Sequence, residues 1–200
     1  MGITGSSESR RRRWLNFNSP VILGMTCISF ALLLLNWLTG GETNRFLAIR
    51  YTSWADPLMY LRLFTHVLAH SGLSHFTSNF MMILVIGPIV EEKYGGPRLL
   101  IMIVITAVIT GLFNVIFFRN VALIGASGIV FMLILLASFV NIRQGRIPLT
   151  VLLVAVLYIG NEIVRGITAN DNISQMAHIV GGLCGSAFGF ALHAGKDTYG

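Results

Sequence analysis

A serine and a histidine far apart in the chain are the residues best suited to chemistry. Ser127 sits in the tetrapeptide Gly125-Ala-Ser-Gly128, and His178 in Ala177-His-x-x-Gly-x-x-x-Gly185. Each stands near the mouth of an apolar segment long enough to be a membrane helix. Lipid penalises polar side chains that have no task, so an alcohol and an imidazole in such places point to nucleophilic catalysis. A serine hydroxyl attacks well only when a neighbouring base accepts its proton. Imidazole, with a pKa near 6.5, takes that proton at neutral pH and returns it to a leaving group. A helix N-terminus at Ser127 adds free N–H groups and the positive end of the helix dipole, which favour a developing negative oxygen.

Glycines flank both residues. Gly125 and Gly128 permit a tight turn and close approach of a substrate. Gly181 and Gly185 have the spacing that lets two helix backbones touch, which would bring the histidine helix against the serine helix. Phe131 lies four residues after Ser127, on the same helix face, and can pack on the imidazole in place of an orienting acid. Asp171 and Glu162 are the nearest acids to His178 in the chain, and neither is obviously placed to serve it. Taken singly, each motif has a plainer reading: the Gly-Ala-Ser-Gly patch as helix packing, and the histidine as a satisfied polar group in a bundle.

A third polar stretch runs Arg62-Leu-Phe-Thr-His66-Val-Leu-Ala-His70-Ser-Gly-Leu-Ser-His75-Phe-Thr-Ser-Asn79. His75 and Asn79 are four apart and share a helix face, and both can donate hydrogen bonds, as an oxyanion hole of side chains requires. His66 and His70 share the same spacing, which admits a metal reading. However, there is no HExxH motif, and the nearest acids are Asp56 and Glu91. No metal or cofactor is expected, and His66 and His70 are read as structural ties of the preceding loop.

The elements that must position these groups follow from composition. The chain is 54% hydrophobic and 11% charged, against roughly 25% charged in a soluble domain. Residues 21–38 and 99–118 contain no charge, and 18–20 helical residues rise roughly 27–30 Å, about the hydrocarbon thickness of a bilayer. Six spans are predicted at about 21–39, 76–93, 98–118, 128–142, 147–164 and 176–193, giving an all-α, polytopic membrane protein of one domain. The connection at 40–74 is aromatic and charged, with Tyr51, Trp54, Tyr60 and Phe64, and suits the membrane interface. Short turns are expected at Gly95-Gly-Pro97, Gln144-Gly145 and Asn170-Asp-Asn172.

The formal net charge of +6 does not mark a nucleic-acid binder, because the basic residues form no binding face. Four arginines at 10–13 precede the first span as a topology anchor. A cleaved signal peptide is disfavoured by the length of the run and the lack of a small-x-small site before Glu42. Cys27 and Cys184 read as packing residues. With the N-terminus inside, nine of the fourteen Lys and Arg flank the cytoplasmic side, and the other five are spread over the longer outer connections. Both termini are then cytoplasmic. Helices two, four and six all enter from outside, so His75, Asn79, Ser127 and His178 fall in one layer within roughly two helical turns of the outer ends.

In combination and in order, Arg62-x-Phe-Thr-His66, His70, His75-x-x-x-Asn79, Glu91 before Lys93-Tyr-Gly95, Gly125-Ala-Ser-Gly128 and Ala177-His-x-x-Gly-x-x-x-Gly185 resemble the rhomboid family of intramembrane serine proteases. The likeness runs from about residue 57 to the end. It implies a minimal, bacterial six-helix core: a basic N-terminal segment at 1–20, a protease domain at 21–194 and a tail at 195–200. It further implies a Ser127–His178 dyad, an oxyanion hole from His75, Asn79 and the Ser127 amide, and structural roles for Arg62 and Glu91. The implied location is the bacterial inner membrane, with the site open to the outer side. The implied partners are the bilayer and single-span or polytopic membrane-protein substrates. The chain departs from the pattern at Leu61, where the family often has tryptophan before the arginine, and at Phe131, often tyrosine. Two readings from other classes stand beside it: an inactive relative that binds membrane segments, and a histidine-based metal or transport protein.

Overall fold

The computed structural model describes residues 19–140 and 172–197, with isolated helical residues at 149, 153, 156, 157, 160 and 164. The four arginines at 10–13, most of the fifth expected span at 147–164, and Arg143, Arg146, Glu162, Arg165 and Asp171 lie outside the described residues. Among the described residues the fold is all-helical. Its α-helices are α1 (Pro20–Leu38), α2 (Glu42–Leu47), α3 (Pro57–Thr65), α4 (Leu73–Tyr94), α5 (Gly96–Phe117), α6 (Ser127–Val140) and α7 (Asn172–Asp197). A 3₁₀ turn at His66–Leu68 continues α3. The interfacial connection, read from sequence as one amphipathic segment, is thus three short helical pieces.

Helices α1, α4 and α5 are long and apolar enough to cross a bilayer. They coincide with the first three expected spans, and α6 and α7 with the fourth and sixth. Their burial differs in an informative way. In α1 only Ile22, Met25 and Ser29 are buried, so this helix is the one least enclosed by the other described spans. In α4 the buried residues Phe76, Asn79, Phe80, Met82, Ile83, Ile86, Gly87, Val90 and Glu91 recur at three and four and form one inward stripe. In α6, Ile129, Val130, Met132, Leu133 and Leu136 are all almost fully enclosed, which marks it as the central helix.

With no water in the hydrocarbon, polar groups must be satisfied within the protein. The hydroxyl of Thr106 donates to the Met102 carbonyl and that of Thr110 to the Thr106 carbonyl, each inside α5. The start of α1 is handled from afar. Ser19 makes no side-chain cap; instead the buried Glu91 carboxylate accepts the amides of Val21 at 2.9 Å and Ile22 at 3.0 Å. An anion at the positive end of a helix is stabilising, so Glu91 ties the C-terminal end of α4 to the start of α1.

The α6–α7 contact is backbone on backbone. A methyl group on Gly181 would lie 2.0 Å from the Gly128 carbonyl oxygen, and one on Gly185 would lie 2.3 Å from that of Met132. Gly182, next in the chain, would meet nothing nearer than Leu135 at 3.9 Å. The two positions therefore give opposite outcomes. Gly181→Ala is expected to lower unfolding stability in detergent by about 3 kcal/mol or more through forced separation of the helices. Gly182→Ala should be neutral or stabilising by up to about 1 kcal/mol. Thermal unfolding of the two variants side by side checks this.

Candidate active site

The turn before α6 is held by the interfacial segment. Ile49 and Leu123 exchange both backbone hydrogen bonds, at 3.1 and 2.9 Å. The Gly125 amide donates to the His66 carbonyl at 2.9 Å. The Asn114 side-chain amide donates to the carbonyls of Val121 at 3.0 Å and Ile49 at 3.4 Å. Arg119 lies over the Tyr51 ring at 4.6 Å, and Tyr51 meets Trp54 edge-on. Gly125 then adopts φ +115°, a left-handed conformation that side-chain-bearing residues rarely accept. This reversal lets α6 begin at Ser127, with Val130 making the first helical bond back to Ala126. The amides of Ser127, Gly128 and Ile129 are left without intrahelical acceptors, as at any helix start.

His75 and Asn79 converge on this turn. A methyl group on Gly125 would lie 2.6 Å from His75 Nε2 and 3.8 Å from Asn79 Nδ2, so both side chains from one face of α4 reach the peptide just before Ser127. The tautomer of His75 follows from Ser71, whose backbone amide donates to His75 Nδ1 at 3.5 Å while its hydroxyl lies at 3.1 Å. A backbone N–H only donates, so Nδ1 is the acceptor. The neutral ring then carries its proton on Nε2, the atom facing Gly125.

His178 is only 6% exposed and lies flat against Phe131, with ring centroids 4.4 Å apart and planes 11° from parallel. The preceding Ala177 has its carbonyl 3.3 Å from where a Gly128 methyl would stand. Ser127 and His178 are therefore the chain neighbours of the two residues in contact. Ser127 is half-buried. A methyl group on Gly128 would also lie 3.1 Å from Thr110 Cγ2. Thr110 lies seven residues, roughly 10 Å, before the C-terminal end of α5.

The other expected residues are brought elsewhere. His66 is buried and donates Nε2–H to the Ala107 carbonyl at 3.0 Å, docking the interfacial segment on α5 beside Gly111. His70 contacts the Leu68 carbonyl at 3.2 Å through Nδ1 and meets His75, Phe76 and Phe80 edge-on. Arg62 reaches back to the Phe46 carbonyl at 2.8 Å and pairs with Asp56 at 3.9 Å. Asp56 caps α3, and its carboxyl is held below the usual range by the Thr52 hydroxyl first, then the Leu58 amide. Leu61, the departure noted above, is exposed and leaves the Arg62 contacts intact. Glu91 serves α1 at the opposite end of α4. Ser71, Asn44, Asn114 and Arg119 were not singled out from sequence. Asn114 carried a readable signal, a lone amide in an apolar run. Asn44, whose side chain donates to the His70 carbonyl at 2.9 Å, carried none.

A family model for the rhomboid domain matches residues 57–195. The chain belongs to the rhomboid family. It is 28% identical over 182 residues to the rhomboid protease GluP of Bacillus subtilis, covering 86% of this chain and 34% of that protein. It is also 28% identical over 149 residues to rhomboid-related protein 2 of Mus musculus, covering 68% of this chain and 49% of the relative. The chain thus spans about a third and about a half of those relatives' lengths. Family and apolar helices together make this rhomboid an integral membrane protein in a lipid bilayer.

The buried histidines of the interfacial segment carry a pH dependence. Burial pushes His66 down to about 4, and burial together with neighbouring His75 pushes His70 down to about 4. In the unfolded chain both take protons near 6.5. Between about 6.5 and 4 the unfolded state binds more protons, so stability falls as pH falls through that window and is unaffected by these groups above it. Each should remove roughly 2–3 kcal/mol by about pH 4.5. Thermal unfolding in detergent between neutral and acid pH is expected to show this loss. His66→Gln, which keeps a donor but does not titrate, should show a smaller one.

Proposed function

We propose that this rhomboid is an intramembrane serine endopeptidase that cuts peptide bonds in or next to transmembrane segments of single-span or polytopic membrane proteins. The observation that carries the reading is the joint between α6 and α7: Phe131 flat on His178, and Ala177 against Gly128, with Ser127 beside that contact. In the proposed reaction His178 takes the proton of the Ser127 hydroxyl, and Oγ attacks the scissile carbonyl. The oxyanion accepts hydrogen bonds from His75 Nε2–H, the Asn79 amide and the Ser127 backbone N–H. Protonated His178 supplies the leaving amine, and water releases the acyl group by the same steps in reverse. Phe131 orients the ring where a third acid would otherwise act. A substrate helix hides its carbonyls in internal bonds, so small or helix-breaking residues near the cut are required.

The layout proposed with it has six spans in one domain at 21–194, both termini cytoplasmic, and the site opening to the outer face of a bacterial inner membrane. The histidines are not proposed as metal ligands, because His66 and His70 direct ring nitrogens to carbonyls of separate segments.

Reconstituted protein and a labelled single-span substrate test the reading. Ser127→Ala and His178→Ala should each lower turnover by about 10³-fold or more, and His75→Ala or Asn79→Ala by about 10²–10³-fold. A fluorophosphonate should label Ser127 in the natural chain. Unchanged turnover in Ser127→Ala would remove the assignment, and a membrane-binding relative without activity would retain substrate yet cleave none.

A further inference from the structure

The mechanism above makes no use of Asn44, which stands on α2 and bonds the His70 carbonyl. His70 and Ser71 share one peptide group, so that carbonyl and the Ser71 amide lie in one plane and point in opposite directions. Asn44 Nδ2 donates to the oxygen side at 2.9 Å. The nitrogen side donates to His75 Nδ1 at 3.5 Å. A chain of hydrogen bonds therefore runs from Asn44, through one peptide group, to the ring whose Nε2 lies toward Gly125. Bonds in such a chain polarise one another, and fixing the carbonyl fixes where the N–H points.

The bond to His75 needs that support. It sits at the long end of hydrogen-bond range, and Ser71 is exposed. Gly72, the N-cap of α4, has no side chain with which to hold the turn. The Ser71 hydroxyl lies 3.1 Å from Nδ1, yet a hydroxyl donates to a bare nitrogen or accepts from an N–H. Of the two Ser71 groups only the amide discriminates, because it cannot accept and so opposes a proton on Nδ1. Asn44 is itself held on both sides. Its own amide donates to Asn36 Oδ1 near the C-terminal end of α1 at 2.9 Å, and Arg62 bonds the Phe46 carbonyl two residues on at 2.8 Å. We infer that Asn44 is a positioning residue: by holding the 70–71 peptide it keeps the proton of neutral His75 on Nε2, where the oxyanion is to be bound. It touches no reacting atom, and its bearing on turnover rests on the protease reading.

The test follows the His75 ring nitrogens by nitrogen-15 NMR on the full chain in detergent, in buffer alkaline enough to keep the ring neutral. Loss of signals in His75→Gln identifies them. The natural chain is expected to show mainly the Nε2–H form. Asn44→Leu, similar in size but without a donor, should lower the ratio of Nε2–H to Nδ1–H by about threefold to tenfold, the net worth of one hydrogen bond. Asn44→Gln keeps a carboxamide N–H and should stay near the natural ratio. With a labelled single-span substrate in vesicles, kcat of Asn44→Leu should fall in proportion to the remaining Nε2–H fraction, with KM unchanged. A residue that merely steadied the fold would lower the unfolding temperature without moving the ring proton. An unchanged nitrogen ratio in Asn44→Leu would overturn the inference, as would a kcat that does not follow the Nε2–H fraction. If Asn44→Leu does not fold, Asn44→Ala makes the same comparison. A natural chain that cleaves nothing would remove the protease reading, while the nitrogen ratio still decides whether Asn44 places the proton.

Discussion

The architecture turns on one close approach, where helices α6 and α7 touch through main-chain atoms at Gly128 and Gly181 and again at Met132 and Gly185. Lipid offers little hydrophobic driving force for helix association, so close packing and polar contacts must do that work. A contact without side chains sets the spacing between the helices with little freedom to slide. The consequence is positional. Residues adjoining the contact, Ser127 on one helix and His178 on the other, inherit its depth and registry, and Phe131 lands on the imidazole because it is one turn along α6. Bulk at Gly181 would act on the proposed chemistry without touching any reacting atom.

The interfacial segment acts as a brace for the other half of the site. It supplies backbone partners for the loop before α6 through Ile49 and His66, and His66 is used twice. Its carbonyl holds Gly125, while its ring holds α5. The left-handed Gly125 is therefore anchored to a residue that is itself anchored in the bundle. His75 gains its useful tautomer from Ser71, within the same connection. A stretch that carries neither the proposed nucleophile nor the proposed base thus sets which nitrogen of His75 carries the proton that faces Gly125.

At the far end of α4, Glu91 shows how the membrane setting shapes the rest. Only 4% exposed, it would be costly as a lone buried carboxylate. Two amides at the start of α1 turn that cost into an attachment for a helix that otherwise makes few buried contacts. The proposed oxyanion donors and the attachment thus sit at opposite ends of one helix, and neither draws on the other's polar groups.

Much of this was legible in the chain because helical periodicity is local. Charge-free runs placed α1 and α5, and an apolar run placed α4; a spacing of four put His75 with Asn79 and Ser127 with Phe131; the glycine spacing marked the face of α7 that meets α6. The family likeness in residue order was equally readable. Other relations were decided only by the tertiary structure: Glu91 on α1, the His66 ring on α5 with its carbonyl on Gly125, and Ser71 on His75. The physical reason is that these contacts join side chains to peptide groups distant in sequence. Every residue carries a carbonyl and nearly every one an amide, so no letter in the sequence distinguishes the Ala107 carbonyl that His66 finds from any other until the helices are packed.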